Sequence, residues 1–191
     1  MNSNALKKIF LFSYRGYFFQ KRRICDFLGS LKVNKYSNSS NIIRIINDDD
    51  LDRILEIYEK SFGNKNYGQI IKYSHKFRNI FYVYEIDGVI IGYLGFYVHL
   101  QREGFYIIQK ATAFSGAVDE KMRGKGIFST LYGEALSNLN KNNVKTVYGY
   151  VNTQNACSLA VHYKFGFKII ETIKNIYELD DSYKVELKLH S

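Results

Sequence analysis

Apolar residues recur along this chain at two different periods, and the places where the period changes divide it into elements. Ile42 to Ile46 reads as a short strand, and Asp48, Asp49 and Asp50 behind it suit the positive start of a helix. Leu51, Ile54, Leu55, Tyr58 and Phe62 then follow at three- and four-residue spacing, the stripe of an amphipathic helix. Gly63 to Gly68 breaks it, and a second short helix is predicted to run to about Arg78. Ile80 to Ile86 and Val89 to Val98 read as strands joined at Asp87-Gly88, a tight-hairpin pair. Gln101 to Gly104 makes a further turn, and Phe105 to Val118 returns as a long strand. Ile127, Phe128, Leu131, Ala135, Leu136 and Leu139 share one face of a helix reaching about Asn140, and Val144 to Val151 is a strand again. Asn155 opens another helix that ends near Gly166. Phe167 to Glu178 and Tyr183 to Leu189 close the chain as a hairpin around Asp180-Asp181-Ser182.

A strand, a crossover helix and a strand imply parallel pairing of Phe105–Val118 with Val144–Val151 and a right-handed crossover. The other connections are short and hairpin-like. The predicted fold is therefore α/β (α+β-like), with a mixed, mostly antiparallel sheet flanked by helices. No proline interrupts any element.

Residues 1–41 stand apart as a basic amphipathic extension and linker before a domain at 42–191. Leu6, Phe10, Tyr14, Tyr17, Ile24, Leu28 and Leu31 recur at helical spacing, so one or two helices are expected, and the serine-rich stretch from Asn34 to Asn41 reads as the linker. The apolar run from Ile9 to Phe19 is too short to span a bilayer and contains Arg15. Of the net charge of +9, the extension carries eight basic residues (Lys7, Lys8, Arg15, Lys21, Arg22, Arg23, Lys32, Lys35) against Asp26 alone, hence +7, which leaves 9 − 7 = +2 for the domain. That distribution gives no support for nucleic-acid binding by the domain. It leaves docking on the chain's own domain, self-association and peripheral membrane contact open as roles for residues 1–40. Two cysteines, Cys25 and Cys157, make no disulfide framework, which fits a reduced cytoplasmic protein, and no Cys/His spacing suggests a metal.

The chemistry concentrates at Lys121-Met122-Arg123-Gly124-Lys125-Gly126, between the long strand and the helix. The first N–H groups of a helix have no partner within it and lie at the positive end of its dipole. Gly124 and Gly126 lack the Cβ atoms that would keep an anion off the backbone, and Arg123 and Lys125 add charge. The pattern describes a diphosphate cradle. A Walker loop would need glycine where Asp119 stands and Ser or Thr where Gly126 stands; a dinucleotide fingerprint would need glycine where Ser129 stands. Coenzyme A is a diphosphate ligand that neither exclusion touches.

This segment resembles the acyl-CoA-binding motif of the GNAT superfamily of N-acyltransferases, Gln/Arg-x-x-Gly-x-Gly/Ala, with Lys121 at its first position. Asn155 to Phe167 resembles that family's Asn-x-x-Ala-x-x-x-Tyr-x-x-x-Gly-Phe, with Ser158 at the Ala position and His162 at the Tyr position. The resemblance spans roughly residues 42–189. It implies a splayed central pair of parallel strands, acetyl-CoA or another acyl-CoA as co-substrate, and transfer of the acyl group to a primary amine by direct attack on the thioester. It places the cofactor at Ala117, Val118, Arg123, Gly124, Lys125, Gly126, Ile127, Phe128, Asn155 and Ser158, and backbone N–H groups near Val118 against the oxyanion.

The resemblance makes His162 a candidate general acid for the departing thiolate; a hydrogen-bonded packing role is the other reading of the same residue. Asn155 reads either as a cofactor contact or as a helix cap. Many relatives carry a carboxylate on the strand before the cradle. Here the equivalent position is about Thr112, which leaves a water relay, Glu103, His99 and Glu85 as candidates for the base. Cys157 reads as buried filler. The acceptor, a small-molecule or protein amine, is expected to meet the segment from Phe62 to Gly68. A non-catalytic acyl-CoA sensor or interaction module with the same fold is the alternative function.

Overall fold

The computed structural model describes residues 23–33, 42–63, 67–174 and 181–189. The expected helix before residue 23, the linker at 34–41, part of the predicted break at 64–66, and residues 175–180, which hold the end of the strand predicted to reach Glu178 and the start of its turn, lie outside those residues. Helix α1 covers residues 23–31. The domain then runs β1 (Ile43–Ile45), α2 (Leu51–Phe62), α3 (Tyr67–Lys76), β2 (Phe81–Ile86), β3 (Val89–Glu103), β4 (Tyr106–Val118), α4 (Ile127–Lys141), β5 (Val144–Asn152), α5 (Ala156–Lys164), β6 (Lys168–Ile173) and β7 (Ser182–Lys188).

The strands form one seven-stranded sheet in the order β1-β2-β3-β4-β5-β7-β6. Every neighbouring pair is antiparallel except β4 with β5, which is parallel, as a crossover through α4 requires. The β2–β3 turn has Asp87 and Gly88 at φ 49° and 77°, the left-handed values that match the twist of a two-residue hairpin. Ile54, Ile57 and Ile80 on one face of the sheet, and Leu131, Tyr132 and Leu139 of α4 on the other, are fully buried with Phe81, Leu94, Phe96 and Val147.

Two features depart from the sequence reading. The β3–β4 hairpin is longer than predicted: β3 continues to Glu103, so the turn sits at Gly104 (φ 60°) and Phe105, and Phe105 stands 96% exposed. Helix α1 does not bury its apolar stripe, since Ile24, Leu28 and Leu31 are exposed. It docks instead through small residues. β2 pairs with β3 only as far as Phe81↔Gly95, so the β3 backbone past that point has lost its strand neighbour. Ser30 takes that place: its Oγ accepts the Val98 N–H at 3.0 Å and lies 3.3 Å from Val98 O. A Cβ on Gly29 would fall 2.4 Å from the same carbonyl, so only glycine permits the approach.

At the start of α2, Arg44 clamps Asp50 bidentately at 2.6 and 2.8 Å, and Asp50 also accepts the Asn47 N–H at 2.6 Å. This ties β1 to the first helix by charge-assisted bonds. Arg44 further holds Glu85 through Nε at 2.7 Å.

Candidate active site

Between β4 and α4 the chain makes a short 3-10 turn at Glu120–Met122, capped by Asp119, whose carboxylate accepts the Lys121 N–H at 3.0 Å. Asp119 is anchored on both sides: its N–H donates to Ile91 O at 2.8 Å, and its carboxylate pairs with Arg53 of α2. Burial opposes its ionisation, but the Lys121 N–H and the Arg53 guanidinium hold it below the usual carboxylate range. The loop that follows is thereby fixed before any ligand arrives.

Gly124 and Gly126 both lie at φ 78°, a region that costs an L side chain about 1–2 kcal/mol. A Cβ built on either would meet nothing within 4 Å. These glycines are therefore demanded by backbone conformation and leave open space above the backbone. The first helical bond is Thr130 N–H to Gly126 O at 3.0 Å. Among the described residues, no backbone carbonyl pairs with the N–H groups from Gly124 to Ser129. Open space, free donors and the positive end of a fifteen-residue helix together fit a diphosphate.

The two basic residues divide their work. Lys125 is exposed at the rim, with Nζ 3.4 Å from Met122 Sδ. Arg123 turns back, donating from Nε to Val118 O at 3.2 Å and from Nη2 to Ser61 Oγ of α2 at 3.0 Å. Arg123 thus ties the end of β4 to α2, while its charge stays beside the loop. Ile127 is buried as the first core residue of the helix. Phe128 packs on Gly116, where a Cβ would fall 2.9 Å from its ring.

Next to this loop the parallel pair separates. β4 and β5 pair at Gln109↔Val144, Lys110↔Thr146, Ala111↔Val147 and Thr112↔Tyr148, and there the ladder stops. β4 continues for six residues to Val118 and β5 for four to Asn152, unpaired with each other. Beyond Thr112 the edge of β4 turned toward β5 has no strand partner, so its edge-facing backbone groups are available to an extended ligand lying between the strands; Ala117 instead pairs with Tyr93 of β3, and Val118 O accepts from Arg123 Nε. A β-bulge adds to the parting: Gly95 pairs with Ser115 and Phe96 with Ala113, so Phe114 has no partner on β3.

The second motif is held by hydrogen bonds within its own helix and to α4. Asn155 is the N-cap of α5, with Oδ1 accepting the Ser158 N–H at 2.9 Å. His162 is 5% exposed, and its Nδ1 lies 2.8 Å from Ser158 O. A carbonyl only accepts, so Nδ1 carries the proton and Nε2 accepts from the Tyr132 hydroxyl at 3.2 Å. The ring packs on Phe167 and over Gly149 of β5. Burial pushes its pKa down, partly opposed by the bond to Ser158. His162 is therefore a neutral imidazole whose single N–H is spent on its own helix, so the acid role does not fit this geometry and the packing role does. Cys157 is exposed rather than buried.

The opposite face of the sheet bears the aromatic residues of α2 and α3. Tyr73 meets Phe114 edge-on at 5.0 Å and Tyr97 at 6.3 Å, and Tyr58 packs at a tilt against Phe62 and Tyr67. Tyr93 is fully buried with its hydroxyl 3.0 Å from Ser115 Oγ. Since Gly149 faces α5, strand alternation puts Tyr148 and Tyr150 on this opposite face. Tyr148, in the last pair before the strands part, lies between Lys110 and Lys184, whose Nζ atoms are 6.0 and 5.5 Å from its ring, and opposite Glu186 of β7.

None of the carboxylates considered as bases is placed to serve. Glu103 pairs with Lys110 at 2.7 Å, but its strand position at the hairpin tip lies six residues, about 20 Å along β3, from Tyr97, the partner of Thr112. Glu85 is engaged by Arg44. His99 sits opposite Lys110, two residues along β3 from the Tyr97↔Thr112 pair. Tyr148 and Glu186 were not singled out from the sequence. The only signal was the polar set Lys184, Glu186 and Lys188 alternating with Val185 and Leu187, which does not say that β7 inserts beside β5.

Among the described residues no group of His, Cys, Asp and Glu could hold a metal, and no helix is long and apolar enough to cross a membrane. Comparison with curated protein sequences finds no match. Solved structures do match. An N-acetyltransferase from Staphylococcus aureus Mu50 is 27% identical with TM-score 0.63, over 79% of this chain and all of that one. yncA from Salmonella typhimurium, solved with its cofactor acetyl-CoA, is 18% identical with TM-score 0.62, over 78% and 94%. The Escherichia coli ribosomal-protein-S18-alanine N-acetyltransferase is 17% identical with TM-score 0.61, over 78% and 94%. The profile of the Acetyltransferase (GNAT) family matches residues 49–167, more than half the length, and the chain belongs to that family.

Proposed function

We propose that this protein transfers an acyl group, acetyl by preference, from acyl-CoA to an amine acceptor by direct attack of the amine on the thioester. The observation that carries the reading is the ending of the β4–β5 ladder at Thr112↔Tyr148 beside an open glycine cradle. The cradle N–H groups from Gly124 to Phe128 hold the diphosphate, with Lys125 at its rim. The pantetheine amides lie along the edge at 113–118 and extend the sheet by one strand. With the diphosphate near Val118, the thioester lies toward Thr112, five or six residues or about 17–20 Å away. The backbone donors nearest the forming oxyanion are then those around the Phe114 bulge, not those near Val118. The acceptor approaches from the face of α2, α3 and Tyr148, opposite α4 and α5.

The E. coli neighbour's name specifies a ribosomal-protein alanine as its acceptor, so peptide α-amines belong first in the screen, ahead of small-molecule amines. The test is calorimetric binding of acetyl-CoA followed by thiol release with an amine panel. The expected result is 1:1 binding and release that depends on one class of amine. Folded protein that binds no acetyl-CoA would sink the reading. Binding without turnover on any amine would leave the sensor alternative in its place.

A further inference from the structure

The base for the acceptor amine is absent from β4, where Thr112 stands, and the fold offers a replacement on the neighbouring strands. Tyr148 of β5 closes the paired part of the β4–β5 ladder, so its side chain stands where the strands begin to part and on the acceptor's side of the sheet. Glu186 of β7 is its direct cross-strand partner. Lys188 pairs with Glu186 at 3.0 Å and keeps that carboxylate anchored.

We propose that Tyr148 is the catalytic residue that removes the proton from the acceptor ammonium, and that Glu186 is the positioning residue that receives the Tyr148 proton in the same movement. The inference rests on the acyl-transfer reading above. The ammonium N–H proton passes to the Tyr148 oxygen while the Tyr148 hydroxyl proton passes to a Glu186 oxygen. The products of this step are a neutral amine, an intact phenol and a protonated carboxyl group. The amine lone pair then forms the C–N bond, the C–S bond breaks as the nitrogen gives its second proton to solvent, the thiolate leaves and takes a proton from solvent, and Glu186 releases its proton to solvent to restore the carboxylate.

The surrounding charges favour this step. Lys110 on β4 and Lys184 on β7 flank the Tyr148 ring, and a like charge at this range disfavours the ammonium form of an arriving amine. Both lysines are themselves held, Lys110 by Glu103 of β3 at 2.7 Å and Lys184 by Glu171 of β6 at 3.5 Å. His99 of β3 lies opposite Lys110, and Tyr97 of β3 and Tyr150 of β5 are further titratable groups on this face. Burial opposes the charge on Glu186, but Lys188 and the Tyr148 hydroxyl hold its carboxyl below the usual range. At neutral pH it is therefore ionised and open to a proton.

The experiment compares wild type, Tyr148→Phe and Glu186→Gln, using acetyl-CoA binding by calorimetry and the pH dependence of turnover with whichever amine wild type accepts. Phenylalanine keeps the ring between the lysines, and glutamine keeps the shape at position 186. The expected result is acetyl-CoA affinity within about twofold of wild type in both variants. Turnover should fall about 100-fold in Tyr148→Phe and about tenfold in Glu186→Gln, with the rising limb of the pH–rate profile moved to higher pH in both. Turnover by Tyr148→Phe with an unchanged profile overturns the relay alone. A profile unmoved in Glu186→Gln overturns the part assigned to Glu186. Failure of wild type to turn over any amine overturns the transferase reading and the relay with it.

Discussion

The two faces of the parted strands are built on different principles. On the α4–α5 face the proposed cofactor site is made of backbone: free N–H groups, two glycines at φ 78° and an open strand edge. Side chains there mostly fix the frame, as Asp119 does with Arg53 and Arg123 with Val118 O and Ser61. On the α2–α3 face nearly everything is side chain: the Tyr and Phe rings of the helices and the Lys110, Tyr148, Lys184 and Glu186 group. A backbone site recognises what is common to every acyl-CoA. A side-chain site can be rebuilt around another acceptor without disturbing the cofactor, because β4 and β5 keep the two apart.

The contrast breaks most sharply at the glycines. Gly126→Glu should abolish detectable acetyl-CoA binding, at least about 100-fold, because it places a carboxylate in the cradle and strains a left-handed backbone. The fold should persist, since nothing packs on that position. Calorimetry and a melting curve on the same sample check both, and normal binding would relocate the diphosphate.

His162→Phe tests whether the motif histidine serves chemistry or packing. It leaves the buried Tyr132 hydroxyl without its partner, at a cost of about 1–3 kcal/mol. The folded protein keeps His162 neutral, whereas the unfolded chain protonates it below about pH 6.5. The wild-type contribution is therefore complete above that pH and declines as the solution is acidified. The stability difference between wild type and variant should narrow between pH 7 and 5.5 in urea titrations. A gap that is constant with pH would contradict the neutral buried imidazole.

Asn155→Ala removes the α5 cap and should cost about 1 kcal/mol with turnover nearly unchanged. A loss of acetyl-CoA affinity larger than the loss of stability would return Asn155 to the cofactor site. Arg123→Ala should have the smallest effect, a few-fold weakening of acetyl-CoA binding with reduced salt dependence, because this partly solvated guanidinium is directed at Val118 O and Ser61. A hundredfold loss would mean that it reaches the diphosphate directly.

Residues 1–22 carry most of the basic surplus and lie outside the described structure, so the roles held open for the extension rest on its sequence. Within the described part, α1 shows why periodicity misled there. Ile24, Leu28 and Leu31 have the spacing of a buried stripe, yet the contact that matters runs through Gly29 and Ser30 at the unpaired stretch of β3. A close approach to backbone selects small residues, and no hydrophobic period announces it.

Local chemistry was sufficient for the Asp87-Gly88 turn, the α4 stripe and the left-handed glycines between β4 and α4, because each is decided by conformational preference and by groups a few residues apart. Parallel pairing of β4 with β5 also followed, from chain connectivity and handedness. Where that ladder stops, which strand lies beside β5, and which way His162 points are set by contacts between residues far apart in the chain. Sequence alone could name His162, but only the packed structure decided that its protons and lone pairs were already committed to Ser158 and Tyr132.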